Sequence, residues 1–335
     1  MNVVVTCFLY GSLLLYMVTG GADFGAGVAE LVTPGDGKSH IRALMRKLTS
    51  PIWEADHMWL ILAAVILFVG FPDIYAQIST VLFIPLTIVL LGIVGRGTSY
   101  AFRNADNVQD RFKKTDNFIY VTSSVVTPFF LGVIAGTLLS WNKPDNDSFL
   151  SVYIYSWFNY FSLSTGFLTV MFCGYLAVIY TLARFPAERE RLKFQFRFLS
   201  IMFYASIPLV VSSPAFSRIL PSRFIGIPVP IIIILLTAVV LYVMWRLVYS
   251  SHSKWARLFV LIPILFLILV LISNNDSSVN PEGLHFPLHT NSDYSKSIDA
   301  LGLALIFGSL LIVPALCYLL YKFELPQNKE PEATD

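Results

Sequence analysis

Long runs of apolar residues, separated by short polar segments, dominate the chain. Nine of these runs come close to or exceed the ~20 residues that a helix needs to cross the hydrocarbon core of a membrane. They cover residues 3–32, 57–76, 80–101, 118–140, 152–182, 196–216, 228–248, 255–272 and 298–321. The pattern therefore predicts an all-α polytopic membrane protein with nine transmembrane helices.

Three of the nine runs differ from the others in length or composition. The first and the fifth, residues 3–32 and 152–182, are long enough to tilt or to project beyond the lipid. The sixth, residues 196–216, is the weakest candidate, because Arg197 and Pro208 interrupt it.

Lysine and arginine are unevenly distributed between the segments that connect the runs. Of the 23 basic residues, 19 lie in the segments that follow the odd-numbered runs or near the run ends that border these segments. Basic residues accumulate on the cytoplasmic side of a membrane. The distribution therefore predicts an N-terminus outside and a C-terminus in the cytoplasm, as an odd number of spans requires.

The composition agrees with a chain that lies largely in lipid. Hydrophobic residues make up 56% of the chain and charged residues 13%, whereas a soluble domain carries about 25% charged residues. We expect one transmembrane domain over residues 1–323 and a polar, disordered tail over residues 324–335. The basic residues form no separate basic domain, so nucleic acid is not an expected partner. No phosphate-binding loop, nucleophile elbow or zinc motif supports a hydrolase.

The start of the second run combines polar and apolar residues in an unusual way. Glu54, Asp56 and His57 stand between Trp53 and Trp59, directly before a purely apolar stretch. Carboxylates at the mouth of a transmembrane helix are costly unless they are paired, protonated or hydrated. Two carboxylates and an imidazole can pass protons through hydrogen bonds or water. The alternative interpretation is helix capping, since acids are favoured at a helix N-terminus.

Asp23 lies among small residues near the end of the first run. Gly21 and Gly25 are four residues apart, so they share a helix face that another helix can approach closely. This face predicts a carboxylate packed against a neighbour, although an interfacial, solvated aspartate also fits the position. Glu30 follows seven residues later on roughly the same face and is interpreted as a solvated helix end.

Two arginines close the third run on the side where Asp23 and Glu54 lie. Arg96 and Arg103 could pair with those acids or could anchor the helix at the lipid headgroups. Without further information, the anchoring interpretation is favoured.

Histidines are too few and too peripheral to hold a low-spin b-type haem, which needs two axial ligands within the helices. Four lie in polar segments and one at a helix mouth. The five are His40, His57, His252, His285 and His289. The sequence therefore predicts that this chain binds neither haem nor metal.

Several sequence blocks together resemble a known family. In order they are GADFGAGV, WEADHMWL, FPDIYA, GRGTSYAFR and TPFFLGVIAGTLL. Their order and spacing resemble subunit II of the cytochrome bd quinol oxidases over at least the first ~140 residues. The combination of WExxxxWL with GRGxxxxFR is fairly specific, whereas each block alone is a weak signal.

The resemblance implies nine transmembrane helices, arranged as two four-helix bundles plus one peripheral helix. It implies a partner, subunit I, which holds haem b and haem d, or a third haem b, together with the quinol site. A small single-helix accessory subunit is a further possible partner, besides membrane lipid and quinone. The implied complex lies in the bacterial cytoplasmic (inner) membrane, oxidises quinol and reduces dioxygen to water with cytoplasmic protons.

Residue by residue, the resemblance places Glu54 on the acid after tryptophan in the family's W-(D/E) motif, which is implicated in a proton path. Asp23 falls on the second acid of a DGFD-type motif, whose first acid is replaced by Gly20. Asp56 and His57 stand where many members have Asn and Gln or His. We therefore expect Glu54, Asp23, Asp56 and His57 to form the proton path.

Two other functions are compatible with the residues. A proton-coupled secondary transporter would also place acids in helices, but usually near the membrane midplane and beside broken helices. The acids here lie at one membrane side, which favours proton entry. A purely structural assembly subunit would differ only in that Glu54 is dispensable.

Overall fold

The computed structural model of the chain describes residues 1–49, 53–103, 110–141, 148–219, 229–249 and 295–324. These residues form eleven α-helices, and no strand occurs among them. The helices are α1 Asn2–Val32, α2 Lys38–Thr49, α3 Trp53–Gly70, α4 Pro72–Val81, α5 Phe83–Arg103, α6 Asp110–Leu139, α7 Tyr160–Arg184, α8 Arg189–Val211, α9 Pro214–Ile219, α10 Val229–Tyr249 and α11 Ser295–Glu324. The predicted all-α class is confirmed.

Five of the described helices are long and apolar enough to cross a membrane, or six if the bent pair α3 and α4 forms one span. They include all of α1, α7 and α8 and most of α5 and α6. The eighth predicted span, residues 255–272, lies outside the described residues, as does the tail from residue 325. The count of nine, the grouping into two bundles and the division at residue 323 therefore remain predictions.

The second predicted span is not one straight helix. Helix α3 ends at Gly70 and α4 begins at Pro72, with a bend of 118° between them. A proline disfavours helical geometry in the preceding residue, and Phe71 has φ −137° and ψ 60°. The Phe71–Pro72 step therefore breaks the helix inside a segment that was predicted as one span.

The fifth predicted span, residues 152–182, is also divided. Ser151–Tyr155 form a short π-helical turn, and α7 begins only at Tyr160. The side chain of Asn159 accepts a hydrogen bond from the Ser162 amide and so caps α7. A local capping residue thus starts the helix later than the apolar run does.

Helix α8 and the segment after α1 also differ from what the sequence predicted. Helix α8 continues to Val211 through Pro208, which lies in its last turn, where few helical hydrogen bonds are lost. The segment after α1, expected to be irregular, contains the amphipathic helix α2. His40 therefore lies on a helix and not in a loop.

Helix α1 lies at the centre of the described part of the fold, where it packs against α2, α3, α6, α7, α8 and α11. Its glycine face meets α7, because Gly25 lies directly against the backbone of Cys173. A Cβ at residue 25 would overlap the Cys173 carbonyl and lie 2.8 Å from the Cβ of Ala177. At Gly21 the nearest neighbour, the sulfur of Cys173, is 3.7 Å away. The small-residue face is thus used within the subunit, and Gly25 is its closest point of approach.

We predict that Gly25→Ala destabilises the protein by about 2 kcal/mol or more, because the added methyl group must displace backbone atoms of α7. The measurement is the melting temperature and the yield of monodisperse protein in detergent. Gly11→Ala is the matched control, since nothing lies within 4 Å of its added Cβ. Equal melting temperatures for Gly25→Ala and Gly11→Ala would contradict the close α1–α7 contact at Gly25.

Candidate functional site: a buried charge cluster

A buried ion pair connects the predicted acid of α1 with the predicted arginine of α5. The Nε of Arg96 donates to Oδ2 of Asp23 at 2.7 Å, and both side chains are 1% exposed. A second guanidinium nitrogen of Arg96 donates to the backbone carbonyl of Asp23. The solvated interpretation of Asp23 and the headgroup-anchor interpretation of Arg96 are therefore both wrong.

Helix α6 supplies the remaining partners of the Arg96 guanidinium. The guanidinium donates hydrogen bonds to the hydroxyl of Ser124 and, at 3.2 Å, to the hydroxyl of Tyr120. The rings of Tyr120 and Phe24 lie 4.5 and 4.9 Å from the guanidinium carbon, a distance suited to cation–π attraction. The buried positive charge is therefore surrounded by one carboxylate, three neutral oxygens and two aromatic faces.

The sequence brings α5 and α6 close together one helical turn before Arg96. A Cβ at Gly92 would overlap the hydroxyl of Thr127 and lie 3.3 Å from its Cβ. Only glycine at residue 92 allows this approach. Arg96, four residues later on the same face, is thereby placed against Ser124 and Tyr120.

A second pair of titratable groups comes from α3. His57 Nδ1 lies 2.6 Å from Oδ1 of Asp56, which is fully buried, whereas His57 is 24% exposed. The other carboxylate oxygen of Asp56 faces α1 at Gly20, where an added Cβ would lie 3.6 Å away. Asp56 is therefore an internal residue in the first turn of α3, a position that agrees with both the proton-path and the capping interpretation.

The two pairs interact electrostatically across the α1–α3 contact. The carboxylate of Asp23 interacts electrostatically with that of Asp56, and the carboxylate of Asp56 interacts with the guanidinium of Arg96. The described structure thus joins three predicted residues, Asp23, Asp56 and His57, with Arg96 in one cluster.

The remaining predicted residues have different outcomes. Trp59 is 8% exposed and packs against Tyr16 and Phe24 beside the cluster. Glu54 lies in the first turn of α3, and Arg103 is the last residue of α5. The side chains of Glu54, Trp53 and Arg103 lie outside the described residues, so their roles remain predictions.

Glu30 contradicts its interpretation as a solvated helix end. It is 2% exposed and accepts two hydrogen bonds from Arg42 of α2, at 2.6 and 2.9 Å. This ion pair fixes the amphipathic helix α2 against the end of α1. This ion pair could not be predicted from the sequence, because α2 itself was not predicted.

Among the described residues, the two histidines are already engaged with carboxylates, His40 with Glu188 at 2.9 Å and His57 with Asp56. They belong to separate clusters, so they do not form an axial pair for haem. No group of three His, Cys, Asp or Glu side chains that could hold a metal occurs in the described ranges. The other three histidines lie outside those ranges.

Sequence reasoning missed Tyr16, Tyr120 and Ser124. Tyr120 and Ser124 are spaced by four residues, as are Tyr16 and Gly20, so helical spacing could have placed each pair on one face. Nothing in the sequence indicated that these faces meet Arg96 and Asp56.

The chain was compared with known proteins. Residues 1–323 match the family described as cytochrome bd terminal oxidase subunit II. Cytochrome bd ubiquinol oxidase subunit 2 of Bacillus subtilis (strain 168) is 30% identical over 154 residues, which are 46% of this chain and 44% of that protein. Cytochrome bd-I ubiquinol oxidase subunit 2 of Escherichia coli (strain K12) is 28% identical over 161 residues, 48% of this chain and 41% of that protein.

The alignments thus span less than half the length of these curated relatives. A chain in the structure of the bd oxidase from Geobacillus thermodenitrificans matches the fold with a TM-score of 0.69 and 19% identity, over 98% of this chain and 99% of that one. Since the family match covers nearly the whole sequence, this chain belongs to the cytochrome bd terminal oxidase subunit II family.

Proposed function

We propose that this chain is the haem-free subunit of a bd-type terminal oxidase in the bacterial cytoplasmic membrane. In this proposal it binds a haem-bearing subunit I, and the complex oxidises quinol and reduces dioxygen to water. The chain supports assembly of its partner and delivers protons from the cytoplasm. Family membership over residues 1–323 supports the assignment to an oxidase.

The observation that carries the proton-delivery part is the buried cluster of Asp23, Arg96, Asp56 and His57. Reducing dioxygen to water consumes protons, and the hydrocarbon of a membrane does not conduct them. A relay needs groups that bind and release a proton within reach of each other. His57 is partly exposed and bonded to the buried Asp56, so it can take a proton at the edge and pass it inward.

Glu54 and the four residues of the cluster each have a separate task in this proposal. Glu54, one turn before His57 at the start of α3, collects protons from the cytoplasm. His57 and Asp56 carry them inward. Arg96 holds Oδ2 of Asp23 and compensates its charge, while Oδ1 of Asp23 has no described hydrogen-bond partner and remains open to a proton.

A transporter function receives less support. The break between α3 and α4 is the feature of the described chain that a transporter would share. It lies about four helical turns from Asp56, so the polar cluster does not border the broken backbone. The family match favours the oxidase.

We predict that Glu54→Gln lowers quinol oxidase turnover about tenfold, the effect of ~1.4 kcal/mol in barrier, while the partner haems stay bound. The amide retains hydrogen bonding but cannot titrate, so Glu54→Asp should retain more activity. Asp23→Asn should act in the same direction more weakly. Oxygen consumption is measured on complexes matched for haem content.

Wild-type turnover of a haem-replete Glu54→Gln complex between pH 6 and 8 would contradict the proton path through this residue. The chain would then be a structural assembly subunit, and protons would enter through the partner.

We predict that the chain expressed without its partner shows no haem absorbance. Purified together with subunit I, it should co-elute with the haem signals in a reduced-minus-oxidised spectrum. A stoichiometric b-type spectrum from the isolated chain would contradict the haem-free assignment. Absence of any co-purifying haem protein from the native membrane would contradict the oxidase assignment.

We predict an N-terminus outside and a C-terminus in the cytoplasm. The contact of His40 on α2 with Glu188 before α8 supports this orientation, because it brings two basic segments to the same membrane side. Alkaline phosphatase fused after Tyr321 should be inactive, and a fluorescent protein fused there should fold. Phosphatase activity at this position would show that the orientation is reversed.

A further inference from the structure

Tyr16 stands beside the charge cluster but has no task in the function proposed above. It lies on α1 one turn before Gly20 and two turns before Asp23, so the three residues share a helix face. Tyr16 is 7% exposed, and its hydroxyl has no hydrogen-bond partner among the described residues. A buried hydroxyl without a partner is unfavourable and requires an explanation.

The same place contains an acceptor without a partner. Oδ2 of Asp56 is buried and is not hydrogen-bonded within the described part of the chain. It lies against Gly20, where an added Cβ would be 3.6 Å from this oxygen and 3.1 Å from the ring of Tyr16. Gly20 therefore lets a tyrosine of α1 and a carboxylate of α3 meet over the same backbone position.

The two atoms are complementary in chemistry. The tyrosine hydroxyl donates one hydrogen bond, and a carboxyl oxygen accepts one. Four ionisable groups interact electrostatically with the Tyr16 hydroxyl. They are Asp56 on α3, Cys173 on α7, Asp23 on α1 and Arg96 on α5. Two acids among these groups have a buried oxygen without a described partner, Oδ1 of Asp23 and Oδ2 of Asp56. Oδ2 of Asp56 is the better placed acceptor, because it lies against Gly20 beside the Tyr16 ring.

We propose that Tyr16 is a positioning residue for proton transfer, and that its hydroxyl donates to Oδ2 of Asp56, directly after a small side-chain rotation or through one water molecule. The inference rests on the proton-delivery function proposed above and assigns it a further residue. A proton that leaves His57 Nδ1 for Oδ1 of Asp56 leaves His57 neutral and makes Asp56 neutral. Tyr16 keeps its own proton and holds the carboxyl group towards α1.

Infrared difference spectroscopy of the assembled, haem-replete complex tests this contact. Asp56→Asn identifies the carboxyl C=O band of protonated Asp56 by its loss. Tyr16→Phe should move this band to higher wavenumber, because the carbonyl loses a hydrogen bond, while the phenyl ring keeps its packing over Gly20. Tyr175→Phe is the matched control, a tyrosine that is 1% exposed within an aromatic stack on α7 and should leave the band unchanged.

Turnover provides the second measurement. Tyr16→Phe should lower quinol oxidase turnover about two- to tenfold, the range expected for the loss of one hydrogen bond. In the double variant Tyr16→Phe/Asp56→Asn, turnover should equal that of Asp56→Asn alone, because Tyr16 acts through Asp56. Multiplied losses in the double variant would overturn the proposal.

A second variant tests the contact if Tyr16→Phe assembles poorly. Gly20→Ala pushes the Tyr16 ring and Asp56 apart and should also shift the Asp56 band, with Gly11→Ala as its control. Trp59 tests a competing donor, since its indole nitrogen is buried near Tyr16 and has no described hydrogen-bond partner. A band shift in Trp59→Phe but not in Tyr16→Phe would overturn the proposal.

The two proposals fail in different ways. Wild-type turnover of Asp56→Asn would refute the proton path at this residue, while the band shift in Tyr16→Phe would still report the contact. The role of Tyr16 would be refuted if the band did not shift in Tyr16→Phe, or if Asp56→Asn removed no carboxyl band. Either result would refute it even if Glu54→Gln slows turnover.

Discussion

The buried charge of Arg96 is the constraint on which the arrangement of α1, α5 and α6 depends. Removing a guanidinium from water costs several kcal/mol unless a counter-charge and hydrogen-bond acceptors surround it. Asp23 of α1 and the hydroxyls of Ser124 and Tyr120 on α6 supply these partners. One side chain of α5 therefore connects three helices. Separating α1 from α5 would leave a buried charge unpaired, and separating α6 from α5 would remove the neutral hydroxyls that solvate it.

This constraint also decides what the acids can do. Asp23 uses one oxygen for Arg96, so its charge is compensated and its capacity for proton exchange is limited to the other oxygen. Asp56 has no arginine partner among the described side chains and bonds instead to the imidazole of His57. In the proposed proton path, Asp23 therefore serves mainly as the counter-ion of Arg96, and the Asp56–His57 pair carries the protons.

The apolar runs predicted where helices lie, but local backbone chemistry decided where they end. The run over residues 57–76 contains Pro72, whose effect on Phe71 breaks the helix within a stretch that hydropathy reads as one span. Within the fifth run, the N-cap at Asn159 likewise sets the start of α7 at a point that hydropathy does not mark. Glu30 and His40 were misjudged together, because the polar segment after α1 folds into a helix whose Arg42 and His40 meet partners elsewhere.

The sequence by itself determined the all-α membrane class, the positions of the apolar helices and the family, because hydropathy and motif order are local properties of the chain. It also identified Asp23, Asp56, His57 and Arg96 as candidates. Only the tertiary structure decided which of them pair, because ion pairs such as Asp23–Arg96 join residues 73 positions apart. Burial likewise arises when helices meet, as Tyr16 and Asp56 do over Gly20.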